Sequence, residues 1–409
     1  MNLPFFIARR YLLRQKGTFS AFIIRLAIIA TALSVAVMIV SVASVNGFKY
    51  TIKEKIYSMQ GHVHVELFDQ NNSMSLNYTP LKYDSKLVDK IKQIPHVQQV
   101  SDFAIKPAII KTKDEMDGIV LKGIRSSYHF SKDIEFTGNK IDFPDSTYAR
   151  QIMLSRTTAD KLNIKVGDTM QLVFLDQSNN YPRKRKVQLA GLYHTGVENV
   201  DEYYGICDMR LVQRINDWAA DNINGYQVEL DDSKYADTVS SFIFNKYLNA
   251  PLTSYTIREL YPSVFDWLGL IDVNGRILLF IMAIVAVINL GAALVILIVD
   301  QSRMVAMMKT LGMGPHKLRQ VFLYYSGLIA GAGILLGNIF GGGLCLIQQK
   351  TGFIKLPEDT YYMKYAPIHF NWTEIATIDV VTLVLCILCM WLPTLYIRFI
   401  QPAKVLQFK

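Results

Sequence analysis

The stretch from Asp300 to Arg319, DQSRMVAMMKTLGMGPHKLR, lies between two long apolar runs, residues 277–299 and 321–347, neither of which holds a charged residue. Each run is long enough to cross about 30 Å of hydrocarbon as a helix, so the stretch is a turn at one membrane face. Within it, residues 302–311 have the spacing of a short helix, with Val305, Met308 and Leu311 on one side, and the run Gly312-Met313-Gly314-Pro315 stops it. Two readings stand side by side. The turn is either a plain connection anchored by Arg303, Lys309, Lys317 and Arg319, or a handle by which a motor on that face moves the membrane helices.

Working outward, the 409 residues are 51% hydrophobic, close to the level of a soluble protein, but the average hides a mosaic. Apolar runs stand near residues 26–45, 277–299, 321–347 and 380–397, and the long interval between the first two is polar and globular in pattern. The expected fold is an α-helical membrane protein with four transmembrane helices and a large α+β domain inserted between helices 1 and 2. The expected division is an amphipathic helix at 1–18, helix 1 at 19–48, the outer domain with its stalks at 49–271 and helix 2 at 272–299. The turn at 300–319, helix 3 at 320–347, a short loop at 348–374, helix 4 at 375–400 and a tail at 401–409 complete it. Arg9, Arg10, Arg14, Lys16 and Arg25 precede the first run, the central turn is basic, and Arg398, Lys404 and Lys409 follow the last. Under the positive-inside rule both termini and the turn are cytoplasmic and the large domain lies outside.

The formal charge of +9 is largely these anchors, so a basic balance here speaks of lipid headgroups rather than nucleic acid. Cys345, Cys386 and Cys389 lie in apolar runs and Cys207 stands alone in the outer domain, which leaves no disulfide framework there. Residues 3–18 read as an in-plane amphipathic helix. The helix of the first span is expected to continue through Asn46, Gly47 and Phe48 to Met59 as a stalk, with a second stalk leading into helix 2.

In the outer domain, His62 and His64 alternate with Val63, Val65 and Leu67; a metal pair is one reading and an exposed strand face the better one. Further on, a helix at 84–94, strands near 97–111, 118–124, 152–154, 169–174, 187–193 and 226–230, and helices near 155–162, 209–218 and 234–247 give an α+β pattern. A hairpin carries DQSNNYPRKRK, residues 176–186, at its tip, with Arg183, Lys184, Arg185 and Lys186 as a candidate contact for an acidic partner or anionic lipid. In helix 3, Gly327-x-x-x-Gly331 and Gly333-x-x-x-Gly337-x-x-x-Gly341 are small-residue ladders suited to close helix packing.

Chemistry that an autonomous pump or enzyme needs is missing from the sequence. There is no G-x-x-x-x-G-K-[ST] phosphate loop, no H-E-x-x-H and no G-x-S-x-G. Asn289 is the notable polar residue inside the spans.

The segments FIARRYLL, VASVNGF, KVGDTMQL, NGRILLFIMAIVAVINL, VAMMKTLGM and QPAKVL, in that order, carry a specific resemblance. The chain resembles the membrane subunits of lipoprotein-releasing ABC transporters, of the LolC and LolE type, within the wider FtsX-like and MacB-like permeases. The resemblance implies a non-catalytic permease of the bacterial inner membrane that extracts lipoproteins from the outer leaflet and passes them to a periplasmic carrier. By the same resemblance, Val305, Ala306, Met307, Met308, Lys309, Thr310, Leu311 and Gly312 form a coupling helix that docks on a separate ABC ATPase. Asn46, Gly47, Phe48 and Asn289 then stand at the stalk and the exit of an acyl pocket. It implies no cofactor and no metal on this chain, with ATP and Mg held by the ATPase. The implied partners are that ATPase, a second permease copy or related permease, the lipoprotein cargo, the periplasmic carrier and membrane lipids, with no nucleic acid. Met304 stands where the family usually has an acidic residue, and the hairpin at 176–186 is shorter and more basic than the hook that grips the carrier. Two other functions fit the superfamily: export of peptides or small molecules, and mechanical activation of a cell-wall hydrolase.

Overall fold

The structure, a computed structural model, describes residues 3–14, 19–68, 78–113, 115–130, 134–144, 147–174, 182–357 and 363–394. The chain forms two compact units, a helical one from Met1–Tyr50, Trp267–Leu356 and Lys364–Lys409, and an α+β one from Thr51–Asp266 and Pro357–Met363. Residues 176–181 of the hairpin tip and the tail 401–409 lie outside the described residues.

The chain begins with α1 (Leu3–Arg14) and α2 (Phe19–Gln60), the second a single helix of 42 residues. No helix breaker interrupts α2 except Gly47, and apolar residues surround it, as a membrane-crossing helix requires. Phe22, Leu26, Ile29 and Leu33 form an exposed row at helical spacing, while Ala27, Val35 and Ile39 are buried against other helices. The stalk expected beyond the first span is thus part of α2.

The α+β unit follows, with β1 (Val63–Leu67), β2 (Leu81–Lys82), α3 (Ser85–Lys92), β3 (Val97–Lys111), β4 (Met116–Ile124), β5 (Glu135–Gly138), β6 (Gln151–Ser155) and α4 (Arg156–Lys161). Then come β7 (Thr169–Phe174), β8 (Arg183–His194), α5 (Glu198–Asp201), β9 (Tyr204–Asp208), α6 (Met209–Ile215), β10 (Asn222–Ile223), β11 (Gly225–Leu230), α7 (Ala236–Tyr247), β12 (Leu252–Thr256) and α8 (Ile257–Leu260). Ten strands form one sheet in the order β12-β1-β11-β3-β4-β9-β6-β8-β5, with β7 bridging β3 and β8. Among the described residues only β4 with β9 and β6 with β8 run parallel. Val65, Ile110, Leu121, Leu154, Leu172 and Phe174 belong to its core. The helices start where a side-chain oxygen can take an orphan backbone N–H: Asp84 caps α3, Ser155 caps α4, and Thr256 and Glu259 make a capping box at α8.

Two expectations fail in this unit. His62 and His64 are buried, not exposed, because the last turns of α2 cover that face: His62 stacks on Tyr57, and His64 meets the Gln60 carbonyl and lies against Phe103. The Leu230 N–H donates to His62 Nδ1 at 3.1 Å, while His64 contacts Glu66 at 2.9 Å and the Gln60 carbonyl at 2.6 Å. Among the described residues no cluster of metal-ligating side chains forms. The basic quartet Arg183, Lys184, Arg185 and Lys186 is not at the hairpin tip but inside β8, paired with residues 171–174 of β7. Arg183 is occupied by the Ile215 carbonyl at 2.7 Å and Asp217 at 2.5 Å, whereas Lys184 and Lys186 are exposed.

The helical unit resumes with α9 (Pro262–Asp300), α10 (Ser302–Thr310), α11 (Pro315–Thr351), α12 (Trp372–Cys389) and the short α13 (Trp391–Thr394). Among the described residues α2, α9 and α11 are long and apolar enough to cross a membrane. Exposed Phe280, Ile288, Ile339, Phe340, Val380 and Leu388 give this unit an apolar outer surface far larger than water tolerates on a monomer. The glycine ladder of α11 divides in two. A Cβ on Gly333 or Gly337 would stand 2.7 Å from Thr31 or Val35 of α2, and one on Gly341 2.9 Å from Ala36, whereas Gly327 and Gly331 have nothing within 4 Å among the described residues. Only the second run seats a neighbouring helix.

Candidate functional site

The turn between α9 and α11 is built as a bracket. Gly312, at φ +88, ends α10 in a left-handed conformation, and Gly314 with Pro315 starts α11. Val305 and Ala306 are fully buried, Val305 among Leu297, Ile298, Leu318 and Phe322, with Met304 and Met308 packed beside them. Arg303, Met307, Thr310 and Leu311 are exposed, at the i, i+4, i+7, i+8 spacing of one helix face. Leu311 is 86% exposed. The expected side shared by Val305, Met308 and Leu311 is therefore corrected: the helix closes at Thr310, and Leu311 points to solvent. Lys309 is half-buried, and Gly312 is exposed.

Polar contacts fasten both ends of this bracket to other helices. Ser20 Oγ on α2 donates to Asp300 Oδ2, and Gln301 Nε2 donates to Ser20 Oγ at 2.9 Å and to Asp300 Oδ2 at 3.1 Å. Ser20 and Gln301 are both buried. On the other side Arg319 of α11 donates to Thr394 Oγ1 and the Trp391 carbonyl, each at 3.0 Å, with its guanidinium 4.4 Å from the Trp391 ring centre. These contacts tie the ends of the bracket to α2, α9, α11 and α13. Sequence reasoning missed Ser20, Gln301 and Thr394, since partners so distant along the chain leave no local periodicity.

About two thirds of the way along α2, Lys49 pairs with Asp272 of α9 at 2.5 Å, and Asn46 Nδ2 donates to Glu374 of α12 at 2.5 Å. Beneath these contacts lies a cavity of about 340 Å³ with apolar walls from Val42, Val45, Leu279 and Ile378. Lys49, Asp272, Arg276, Asn46 and Glu374 line the same cavity, and a mixed charged and apolar lining suits an amphiphile. Gly47 is required by close approach: a Cβ there would stand 2.3 Å from the Pro367 carbonyl oxygen. Phe48 sits edge-on to Trp267, ring centres 5.8 Å apart. Asn289 is half-buried on α9 and does not line this cavity. A second interhelical pair missed in the sequence joins Asn338 Nδ2 of α11 to both carboxylate oxygens of Asp379 on α12, at 2.9 Å each.

These features define a class: a membrane protein whose apolar helices carry an inserted α+β domain and whose short helix α10 stands partly exposed between two spans. The profile of the MacB-like periplasmic core domain matches residues 26–241, more than half of the chain, and that of the FtsX-like permease C-terminal region matches residues 276–402. The chain belongs to the family of MacB-like periplasmic core domain proteins, joined here to an FtsX-like permease region. Curated relatives match it end to end. The lipoprotein-releasing system transmembrane protein LolE of Haemophilus influenzae is 24% identical over 99% of each chain. The LolC of Xylella fastidiosa is 25% identical over 98% of each. The periplasmic region of MacB from Actinobacillus actinomycetemcomitans aligns with 52% of this chain and 97% of its own, at 12% identity and a TM-score of 0.35, a likeness too slight to carry weight.

Proposed function

We propose that the chain is the permease subunit of an ABC transporter that lifts lipoproteins out of the outer leaflet of the inner membrane and hands them to a periplasmic carrier. The observation that carries this reading is the similarity to lipoprotein-releasing transmembrane proteins over 98–99% of each chain. The proposed topology has four spans, α2, α9, α11 and the helix that begins with α12. The basic residues beside the spans support cytoplasmic termini and a cytoplasmic α10, with the α+β unit in the periplasm.

Physical scale argues for an external motor. Returning one buried methylene to water costs about 0.8 kcal/mol, so extracting a multiply acylated protein costs on the order of tens of kcal/mol before compensating contacts form. The chain has no phosphate loop, and ATP with Mg is assigned to a separate ATPase subunit. Arg303, Met307, Thr310 and Leu311 are the surface offered to that subunit. Val305 and Ala306 act from the other side, holding α10 on the helical unit. The cavity under Lys49 and Asp272 receives part of the lipid moiety as it leaves the bilayer. A second permease, identical or related, completes the complex, and Lys184 with Lys186 offers a cationic patch for the carrier or an anionic headgroup.

The test is purification of the chain from its native membrane in mild detergent, with identification of what accompanies it. A small ATPase together with acylated protein is the expected outcome; absence of any ATPase contradicts the proposal. Filling the cavity should be selective. Val42→Trp is expected to leave ATPase association intact while lowering ATP-driven release several-fold, and unchanged release would remove the cavity from the account.

A further inference from the structure

The outer end of α2 terminates against an unusual group. The last carbonyls of a helix have no partners of their own and carry the negative end of its dipole. Lys122 of β4 is 2% exposed, and its ammonium lies 2.5 Å from the Met59 carbonyl and 2.5 Å from Gln227 Oε1 of β11. The next carbonyl, of Gln60, meets His64 Nε2 of β1 at 2.6 Å, and Gly61 turns the chain at φ +70. Gln227 in turn donates to Glu229 at 3.2 Å and to Tyr128 Oη at 3.3 Å. The rings of Phe103 and Tyr128 flank the Lys122 ammonium with centres at 5.6 and 5.9 Å.

A fully buried lysine is costly unless its charge is met, and a hydrophobic residue would fill the same space at less cost. What lysine adds, charged or neutral, is a directional N–H donor to a helix end that no apolar side chain can supply. We infer that Lys122 is a positioning residue, the pin by which the α+β domain grips the outer end of α2, so that motion of that helix moves the sheet instead of fraying its last turn. This rests on the permease reading given above for its use in transport, though not for the grip itself.

The charged and titratable groups facing the ammonium are Glu229 from β11, Glu66 and His64 from β1, and Tyr128 from the segment after β4. Burial pushes the Lys122 pKa down to about 7, against the attraction of Glu229 and Glu66. Any opening that wets Lys122 restores an ordinary lysine and takes up a proton at pH values between the two. Opening is therefore easiest at or below pH 7 and becomes about tenfold rarer per pH unit above it.

The test is amide exchange of residues 52–60 in the purified full-length chain between pH 7.5 and 9, corrected for intrinsic exchange rates. Wild type should gain about tenfold protection per pH unit. Lys122→Met should show weaker protection with no slope, and Lys122→Arg, charged throughout, should also be flat. A flat wild-type profile, or an unchanged slope in Lys122→Met, overturns the inference, and the wild-type profile decides even where a variant fails to fold. In the reconstituted complex, Lys122→Met should hydrolyse ATP while releasing several-fold less lipoprotein per ATP. Were wild type to release none while the exchange slope held, the permease reading would fail and the pin would stand.

Discussion

Leu311→Asp is expected to leave the chain folded and inserted but to reduce ATP-driven lipoprotein release by about 100-fold. In the free chain the side chain at this position is in solvent, so a carboxylate there replaces one hydrated group by another. On the proposed reading, an ATPase docked over this face would enclose it as an unpaired charge. A loss of about 2–4 kcal/mol is typical of hot-spot positions, and each 1.4 kcal/mol is tenfold in affinity. Co-purification of the ATPase and release from membranes both read the effect. Val305→Asp serves as the contrast: its charge falls into the packed interior with Leu297 and Phe322, and loss of folded protein is expected instead. Intact association and release in Leu311→Asp would show that the exposed face of α10 is not the handle.

Gly337→Val should destabilise the packing of α11 on α2. The added Cβ would meet Val35 Cβ at 2.7 Å and the Ala32 carbonyl at 2.8 Å, both on a helix held along its length and unable to yield locally. Overpacking of this kind costs about 1–3 kcal/mol, and more where backbone stands in the way. A fall in midpoint temperature of roughly 5 °C or more is expected in detergent-solubilised protein. Gly331→Val, on a stretch of α11 with nothing within 4 Å among the described residues, should differ little from wild type. Equal losses in the two variants would mean that the ladder acts through helix propensity and not through the seat it makes for α2.

Much of the architecture is legible because its signals are local. The strands at 97–111 and 169–174 alternate buried and exposed residues, and Asp84 and Ser155 announce the helices they cap. The central turn shows its helix and its glycine stop within a few residues. What escapes is decided by pairing across the chain. Alternation of His62 and His64 with valines looks like a solvent-facing strand, and only the far end of α2, with Tyr57 and Gln60, covers that face. A basic run reads as a loop tip until β7 pairs with it residue by residue. Ser20 with Asp300, Asn338 with Asp379 and Lys122 with Met59 have no sequence signature, since each is an ordinary residue until a distant segment arrives beside it. In the site itself, the sequence marks the whole of residues 305–312, and burial separates the half that anchors from the half that is exposed.

The most direct measurement reconstitutes the chain with its co-purifying ATPase in lipid vesicles that hold a triacylated lipoprotein, and follows transfer to a soluble acceptor after ATP is added. The account predicts transfer that requires ATP and is lost with Leu311→Asp. Steady ATP hydrolysis by the wild-type complex with all lipoprotein remaining on the vesicles would contradict it.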